Sequence, residues 1–285
     1  MEAIHTAVRT KIKYFSKRAM KIFFRFFILA FFLLDLKAAY AAIGTMYWST
    51  HPQNKTDNLS RVIVEKILKL PLEYGEVSST SKLLFGRGTI LNYAREGDVI
   101  WGSGFYSDSL NEKEIKHLDV RAVRGPRTRE LLLQWGIDCP EVYGDPAILV
   151  VDLFPEYQRQ KPLYDYIIIP HAWEMAYFAG YKNLISPSLP WDELLQKILQ
   201  TKLVISSSLQ PIILAESYQV PARMLRMNFS ESLFKYQDYY ESTGRADFKY
   251  ATSVKQALEM GGAKMGFIDH QKLLEAFPWD YFYDK

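Results

Sequence analysis

The chain has 285 residues, of which 48% are hydrophobic and 24% are charged, so its length and composition permit a large buried core. Its formal net charge is only +3, and much of the basic excess precedes residue 40. No basic face therefore argues for nucleic-acid binding. The single cysteine, Cys139, excludes an internal disulfide and favours a reducing compartment.

Residues 1–45 have the character of a targeting or membrane-associated segment. Five basic residues between positions 11 and 21 precede an apolar run at 26–34, and small residues follow at 39–41. This order resembles a secretory signal, and the run is shorter than the about 20 residues that a spanning helix needs. Three interpretations stay open: a cleaved signal or short signal-anchor, a basic amphipathic helix on a membrane surface, or translation upstream of a true start near Met46.

From Met46 onwards, short apolar runs alternate with helical patterns, which is typical of an α/β fold with parallel strands. In the region 46–155 the pattern predicts helices over 58–70 and 127–135, and strands over 81–84, 98–101, 118–123 and 141–143. A polar, proline-flanked stretch at 154–161 then predicts a hinge. We therefore expect a first α/β half over 46–155.

The alternation resumes after the hinge and predicts a second α/β half, with a C-terminal extension, over 156–285. The expected elements are strands over 166–171 and 203–205, and helices over 191–201, from Pro211 onwards and over 253–260. Proline is acceptable at a helix start because its missing N–H would be unpaired there.

Polar residues collect where the predicted strands end. The segment Ser206–Ser208 joins a buried strand to a helix start, where free amides and the helix dipole favour an anion. Gly102-Ser103-Gly104 and Gly144-Asp145 also follow strands, and ligands of parallel sheets bind beyond the strand carboxyl ends. An ordinary strand–turn–helix corner with serine caps is an equal interpretation of Ser206–Ser208.

Five stretches together resemble the polysaccharide pyruvyl transferase family, in its bacterial exopolysaccharide branch. They are residues 101–104, 123–128, 143–147, 204–222 and the aromatic-rich C-terminal stretch 234–245. The resemblance implies two Rossmann-like halves facing a cleft, in a GT-B-like arrangement. It also implies transfer of the enolpyruvyl group of phosphoenolpyruvate onto two sugar hydroxyls as a cyclic ketal, with phosphoenolpyruvate as co-substrate and no further cofactor.

The resemblance assigns expected roles to particular residues. A trianionic donor requires cations and amide donors, and the residues expected to bind it are Arg124, Arg127, Ser207, Ser208 and Leu209. The turn Gly102, Ser103 and Gly104 is expected to line the cleft. His171 is the expected proton donor and Asp145 the expected base, although each could instead be a structural residue, and Arg124 and Arg127 could both be solvated surface cations.

The chain departs from the family pattern at Gln210 and Pro211, where the family has His-Gly. Glutamine donates hydrogen bonds but does not transfer protons at neutral pH, and proline offers no N–H to an anion. Gln210 therefore occupies a position expected to be catalytic, but its side chain lacks the proton-transfer chemistry of the histidine in the family pattern. Two alternatives to the pyruvyl transferase follow: a GT-B-like glycosyltransferase, or a catalytically degenerate glycan-binding relative.

The remaining expectations concern partners, metals and location. The scattered histidines predict no metal site. The expected partner is a glycan or lipid-linked oligosaccharide acceptor, with membrane-surface association through the N-terminus and no nucleic acid. The expected location is the cytoplasm or the cytoplasmic face of the membrane, and the signal-like N-terminus leaves export open.

Overall fold

The computed structural model of the chain describes residues 45–47, 58–72, 82–108, 115–227, 231–264 and 266–283, with the backbone alone at 45–47. The described residues from Thr45 to Trp279 belong to one compact unit. Apart from Thr45, the predicted signal-like segment 1–45 lies outside the described residues.

The first half of the described chain builds a four-stranded parallel sheet with strand order β1-β2-β3-β4. In chain order its elements are β1 (Thr45–Tyr47), α1 (Leu59–Leu68), β2 (Leu83–Phe85), β3 (Val99–Trp101), β4 (Asp119–Ala122), α2 (Pro126–Gln134) and α3 (Val150–Leu153). Single 3₁₀ turns cover Leu91–Tyr93 and Pro146–Leu149. The central strands β2 and β3 are wholly buried, as continuous apolar runs of a parallel sheet should be.

The second sheet has three parallel strands in the order β5-β6-β7. Its elements are β5 (Ile167–Ile169), the 3₁₀ segment Ala172–Phe178, α4 (Trp191–Leu199), β6 (Val204–Ser206), α5 (Leu209–Ser217) and β7 (Ala222–Met224). Helix α4 buries Leu194, Leu195, Ile198 and Leu199 on one stripe, the spacing expected of an amphipathic helix.

Four helices complete the described chain: α6 (Phe234–Ser242), α7 (Val254–Met260), α8 (His270–Glu275) and α9 (Trp279–Tyr283). Helix α6 packs against α2 of the first half, and α7 packs beside β7. Helix α5 packs on the turn Pro146–Leu149, and the Tyr218 hydroxyl donates to the Val150 carbonyl at 3.2 Å. These contacts join the regions of the two sheets.

The structure confirms a mixed α/β fold with parallel strands and corrects two predicted elements. Helix α5 begins at Leu209, not at Pro211, because proline fits any position of a first turn, where an N–H is not needed. The predicted strand 141–143 is wrong: only Tyr143 pairs, in a single parallel bridge to Val123. The division at residue 155 and the GT-B-like cleft stay predictions.

Candidate active site

The loops that follow the strand ends carry the candidate site, and the side chains of Pro146 and Arg124 pack closely against the turn Gly102–Gly104 after β3. Gly102 has φ +91°, and a Cβ there would lie 2.3 Å from Cδ of Pro146. A Cβ on Gly104 would lie 2.6 Å from Cζ of Arg124. Only glycine permits this packing. Between them, the buried Ser103 donates its hydroxyl to the Gly88 carbonyl at 3.1 Å.

Side chains from both sheets meet in what we call the junction cluster, formed by Arg87, Gly88, Asp145 and Gln210. Arg87 donates to the Gln210 Oε1 atom through Nε at 3.0 Å and also through Nη2. Gln210 Nε2 lies 3.5 Å from Asp145 Oδ2, which accepts the Gly88 N–H at 3.0 Å. Arg87 follows β2 and Gln210 lies in the first turn of α5, so this cluster links strand ends of the two sheets.

Asp145 is fully buried, and backbone donors hold its carboxylate. Besides Gly88, the Ala147 N–H donates to Oδ1 at 3.0 Å, which makes Asp145 the N-cap of the turn Pro146–Leu149. The structure therefore gives Asp145 a structural role. Its expected role as a base is a separate matter, and it stays a prediction.

A second group, the histidine cluster, surrounds the end of β5 and consists of His171, Glu174, Ser207, Glu231, Lys235 and Tyr236. The His171 backbone N–H donates to Ser207 Oγ at 3.0 Å, and the Ser207 hydroxyl donates in turn to Glu174. His171 Nε2 lies 3.3 Å from both Glu231 Oε1 and the Tyr236 hydroxyl. One hydrogen bond thus connects the expected proton donor to the expected donor-binding loop.

Trp173 covers one face of the His171 ring. The two rings stack with their centroids 4.2 Å apart and their planes 8° from parallel. Trp173 itself is 67% exposed, while His171 is 8% exposed. The imidazole therefore sits just under the surface, shielded on one side by an exposed aromatic ring.

Charge is concentrated on the far side of His171. Burial alone would raise the pKa of Glu231, but hydrogen bonds and positive charge from His171 and Lys235 outweigh it and lower the pKa to about 2. Burial lowers the pKa of the Lys235 ammonium, which lies 2.5 Å from Glu231 Oε1. Burial also raises the pKa of Tyr236. Glu231 is consequently a partly buried anion that faces the imidazole.

The two arginines expected to bind the donor both pair with carboxylates of α6. Arg124 is fully buried and forms an ion pair with the equally buried Asp238 at 3.0 Å. Its Nη1 donates to Thr89 Oγ1 at 2.7 Å, and its Nη2 donates to a backbone carbonyl. Arg127 forms a 2.7 Å pair with Glu241 at the surface. Donor binding by Arg124 and Arg127 stays a prediction.

The remaining expected donor residues occupy the loop between β6 and α5. Ser207 is buried within the histidine cluster, whereas Ser208 is the N-cap residue of α5 and its N–H donates to Ser206 Oγ at 3.0 Å. Leu209 begins the helix and is buried. Donor binding by Ser207, Ser208 and Leu209 likewise stays a prediction.

Sequence reasoning assigned no role to Arg87, Glu174, Glu231 and Lys235. Arg87 stands between two glycines directly after a strand, which was a usable signal for a ligand-facing cation. Lys235 lies inside the aromatic-rich stretch 234–245, which the sequence singled out without giving it a function. Glu174 and Glu231 carry no local signal, since only the fold brings them to His171.

Two structural findings bear on metals and membranes. Within the described ranges, His, Cys, Asp and Glu side chains form no group of three or more that could hold a metal ion. Among the same residues, no helix is long and apolar enough to cross a membrane. The predicted lack of a metal ligand set and the predicted membrane association are not tested by these findings.

Two small parallel sheets with polar clusters at their strand ends define an α/β protein with a candidate active site beyond the strands. The chain is similar to the polysaccharide pyruvyl transferase family, whose family model, described as "Polysaccharide pyruvyl transferase", matches residues 88–228, just under half of the chain. The matched region contains Arg124, Asp145, His171 and Gln210.

Two curated relatives support this assignment. The succinoglycan biosynthesis protein ExoV of Rhizobium meliloti is 32% identical over 213 residues, which is 70% of this chain and 64% of that protein. An uncharacterized protein of Acanthamoeba polyphaga mimivirus is 29% identical over 194 residues, which is 61% of this chain and 65% of that protein. The chain thus spans just under two thirds of each relative's length.

A solved structure of a functionally uncharacterized protein from Klebsiella pneumoniae is also similar. It has a TM-score of 0.48 and 18% sequence identity, and it covers 79% of this chain and 98% of its own.

Proposed function

We propose that the protein is a polysaccharide pyruvyl transferase that moves the enolpyruvyl group of phosphoenolpyruvate onto a glycan sugar as a cyclic ketal, in exopolysaccharide biosynthesis. The match to the family model and the similarity to a succinoglycan biosynthesis protein support the reaction class. The observation that carries the assignment of the site is the 3.0 Å hydrogen bond from His171 N–H to Ser207. It joins the proposed acid to the loop proposed to hold the donor.

The proposed reaction needs one proton delivered to carbon and two sugar oxygens added to carbon. Protonation of the methylene carbon of phosphoenolpyruvate makes the adjacent carbon oxocarbenium-like. One sugar hydroxyl oxygen bonds to that carbon, the carbon–oxygen bond to phosphate breaks, and the second hydroxyl closes the ketal. The two hydroxyl protons balance the proton placed on carbon and the one that leaves with phosphate. General acid catalysis of this kind typically contributes about 10²–10⁴-fold.

His171 is the proposed proton donor, and Glu231 is the residue that positions it. Nε2 faces the Glu231 carboxylate and the Tyr236 hydroxyl, whereas Nδ1 makes no hydrogen bond to any residue that the structure describes. A carboxylate that holds one ring nitrogen fixes the tautomer and the orientation of the ring. We therefore assign proton delivery to Nδ1–H, so that the reacting ring carries a proton on each of its two nitrogens.

The donor is proposed to bind where the two sheets meet, in a GT-B-like cleft. A trianion needs several cations or amide donors, and Arg87, Arg124 and Lys235 are buried cations around the strand ends. The first turn of α5 adds helix N–H groups, although Pro211 supplies none. The proposed acceptor is a glycan or a lipid-linked oligosaccharide, handled in the cytoplasm or at the cytoplasmic face of the membrane.

A second candidate, a catalytically degenerate glycan-binding relative, is favoured by one observation. Gln210 occupies the family's histidine position, and its amide is held between Arg87 and Asp145. No titratable group stands at that position, so proton delivery depends entirely on another residue. A GT-B-like glycosyltransferase is the other alternative, and it would use a nucleotide sugar and would not need phosphoenolpyruvate.

The test is phosphate release from phosphoenolpyruvate by the full chain in the presence of a galactoside or mannosaminide acceptor. We expect the wild type to be active and His171→Gln to lose about 10²–10⁴-fold of that activity. The control variant His117→Gln, which changes an exposed histidine of the first half, should be as active as the wild type. Full activity in His171→Gln would contradict the assignment of the acid.

The double variant Gln210→His, Pro211→Gly separates the alternatives. A gain in rate without tighter donor binding would favour the degenerate relative. Transfer from a nucleotide sugar without phosphoenolpyruvate would favour the glycosyltransferase.

A further inference from the structure

A cavity whose lining shares no residue with the junction and histidine clusters lies beside β7, which contributes Arg223 to it. It has a volume of about 610 Å³ and is open to solvent. Pockets of this size hold small ligands, and a di- or trisaccharide is within that range. The residues that matter below are Arg223, Arg245, Asp247, Lys249, Lys264 and Phe267.

Two buried arginines hold the walls of this cavity in place. Arg223, on β7, donates through Nε to the Gly261 carbonyl at 2.7 Å and through Nη1 to the Lys249 carbonyl at 2.8 Å. Arg245 donates to the Lys264 carbonyl at 2.9 Å and forms an ion pair with Glu216 at 2.6 Å. The backbone segments that carry Lys249 and Lys264 are therefore fixed by hydrogen bonds from buried side chains, so the shape of the cavity is defined by the fold.

The rim of the cavity is positively charged. Lys249 and Lys264 are exposed, and neither ammonium has an ion-pair partner among the residues that the structure describes. Asp247 is the acidic residue of the lining. The arginine charges are directed at wall carbonyls and at Glu216, so the two lysines are the cations available to a ligand. Such a rim attracts anions.

An exposed aromatic ring completes the rim. Phe267 is 77% exposed, although its backbone is fixed by a 3.2 Å hydrogen bond from its N–H to the Thr243 carbonyl. A second ring, Phe248, is stacked on Tyr240 with 4.3 Å between the centroids and is therefore fixed in the wall. An exposed flat ring beside cations offers apolar contact to the face of a ring-shaped ligand.

We propose that this cavity binds an anionic sugar unit, with its carboxylate or phosphate on Lys249 and Lys264 and its ring face on Phe267. The choice of a sugar as the ring-shaped ligand rests on the proposed function, while the charge and the shape of the site do not. The cavity would then hold a charged part of the glycan at a distance from the strand ends, as a second point of attachment.

The test measures direct binding to the full chain by isothermal titration calorimetry, with trigalacturonic acid and galactose 1-phosphate as anionic probes and maltotriose as a neutral probe. We expect at least one anionic probe to bind at least tenfold more tightly than maltotriose, and its affinity to fall as salt rises. Lys264→Gln should lower the affinity for that probe about tenfold or more, because a charge-assisted hydrogen bond is lost. Phe267→Ala should lower it several-fold and leave the salt dependence intact.

Matched controls are Lys255→Gln, on an 88% exposed side chain of α7, and Tyr177→Ala, on a 72% exposed ring. Both should bind as the wild type does. Equal affinity for maltotriose, no binding of either anionic probe, or wild-type affinity in both Lys264→Gln and Phe267→Ala would overturn the proposal. Preference for trigalacturonic acid would identify a carboxylate as the anion, and preference for galactose 1-phosphate would identify a phosphate.

This experiment does not depend on catalysis. If the wild type binds an anionic probe but does not turn over phosphoenolpyruvate, the proposed function is contradicted and the inference about the cavity is not. Turnover with no anionic probe bound would remove this inference alone.

Discussion

The buried ion pair between Arg124 and Asp238 should be a main determinant of stability, and Asp238→Asn tests it. Both side chains are fully buried, and the Arg124 guanidinium makes its remaining hydrogen bonds to Thr89 and Phe105. Asp238 also accepts from the Thr128 N–H at 2.9 Å and from its hydroxyl at 2.7 Å. The carboxylate thus receives three donors, which tie α6 to the start of α2.

The expected loss in unfolding free energy is about 3–5 kcal/mol, because the substitution leaves a buried guanidinium without its counter-charge. Asparagine also presents an amide nitrogen where a carboxylate oxygen accepted hydrogen bonds, so at least one of the three donors loses its acceptor. With an m-value of about 2–3 kcal/mol/M, the urea midpoint should fall by roughly 1–2.5 M at an unchanged m-value.

The assay is urea unfolding of the wild type and three variants. The control Asp165→Asn breaks an exposed pair with Lys202 and should leave the midpoint where it is. The double variant Arg124→Met, Asp238→Leu removes both charges and should recover much of the loss, since apolar residues of similar volume replace buried pairs well. A loss below about 1 kcal/mol in Asp238→Asn, or a double variant less stable than that single one, would refute this account.

Two further predictions follow from the shifted pKa values of Glu231 and Cys139. The pKa of Glu231 is lowered from 4.5 to about 2, so its ionised carboxylate stabilises the folded state above about pH 4.5 by at most about 3 kcal/mol. This stabilisation is lost as the pH falls from about 4.5 towards 2. Glu231→Gln should therefore flatten unfolding free energy against pH in that window, and an unchanged slope would contradict the role of this carboxylate. Burial raises the pKa of the Cys139 thiol to about 12. At pH 8 this thiol should therefore react with a disulfide reagent at least about a hundredfold more slowly in the folded protein than in the unfolded chain. Equal rates in the two states would contradict the burial of the thiol.

The parallel strands could be predicted from the sequence because their signal is local. Ile167-Ile168-Ile169 and the run ending in Val204-Ile205 are continuous apolar segments, and both became fully buried strands. The segment at 141–143 carried a weaker signal and forms one bridge, since Pro140 precedes it and Gly144 turns the chain directly after it.

The candidate site was less predictable because its contacts join residues far apart in the chain. Arg87 and Gln210 are 123 positions apart, and Arg124 and Asp238 are 114 apart. Arginine is usually exposed, so nothing near Arg124 in the sequence indicated complete burial. Spacing along one chain shows which residues share an element, but it does not show which loops of two sheets face each other.

The exchange of histidine for glutamine at position 210 alters proton transfer more than it alters the hydrogen-bond pattern of the junction cluster. Gln210 accepts from Arg87 through its amide oxygen and directs its amide nitrogen towards Asp145. A neutral imidazole has one accepting and one donating nitrogen, so it offers the same polarity to the same two neighbours. Glutamine therefore preserves the cluster that links the two sheets while removing the only group there that could titrate near neutral pH. In the function we propose, donor binding and proton delivery are therefore separate: the junction cluster would serve donor binding, and His171, held by Glu231, would deliver the proton.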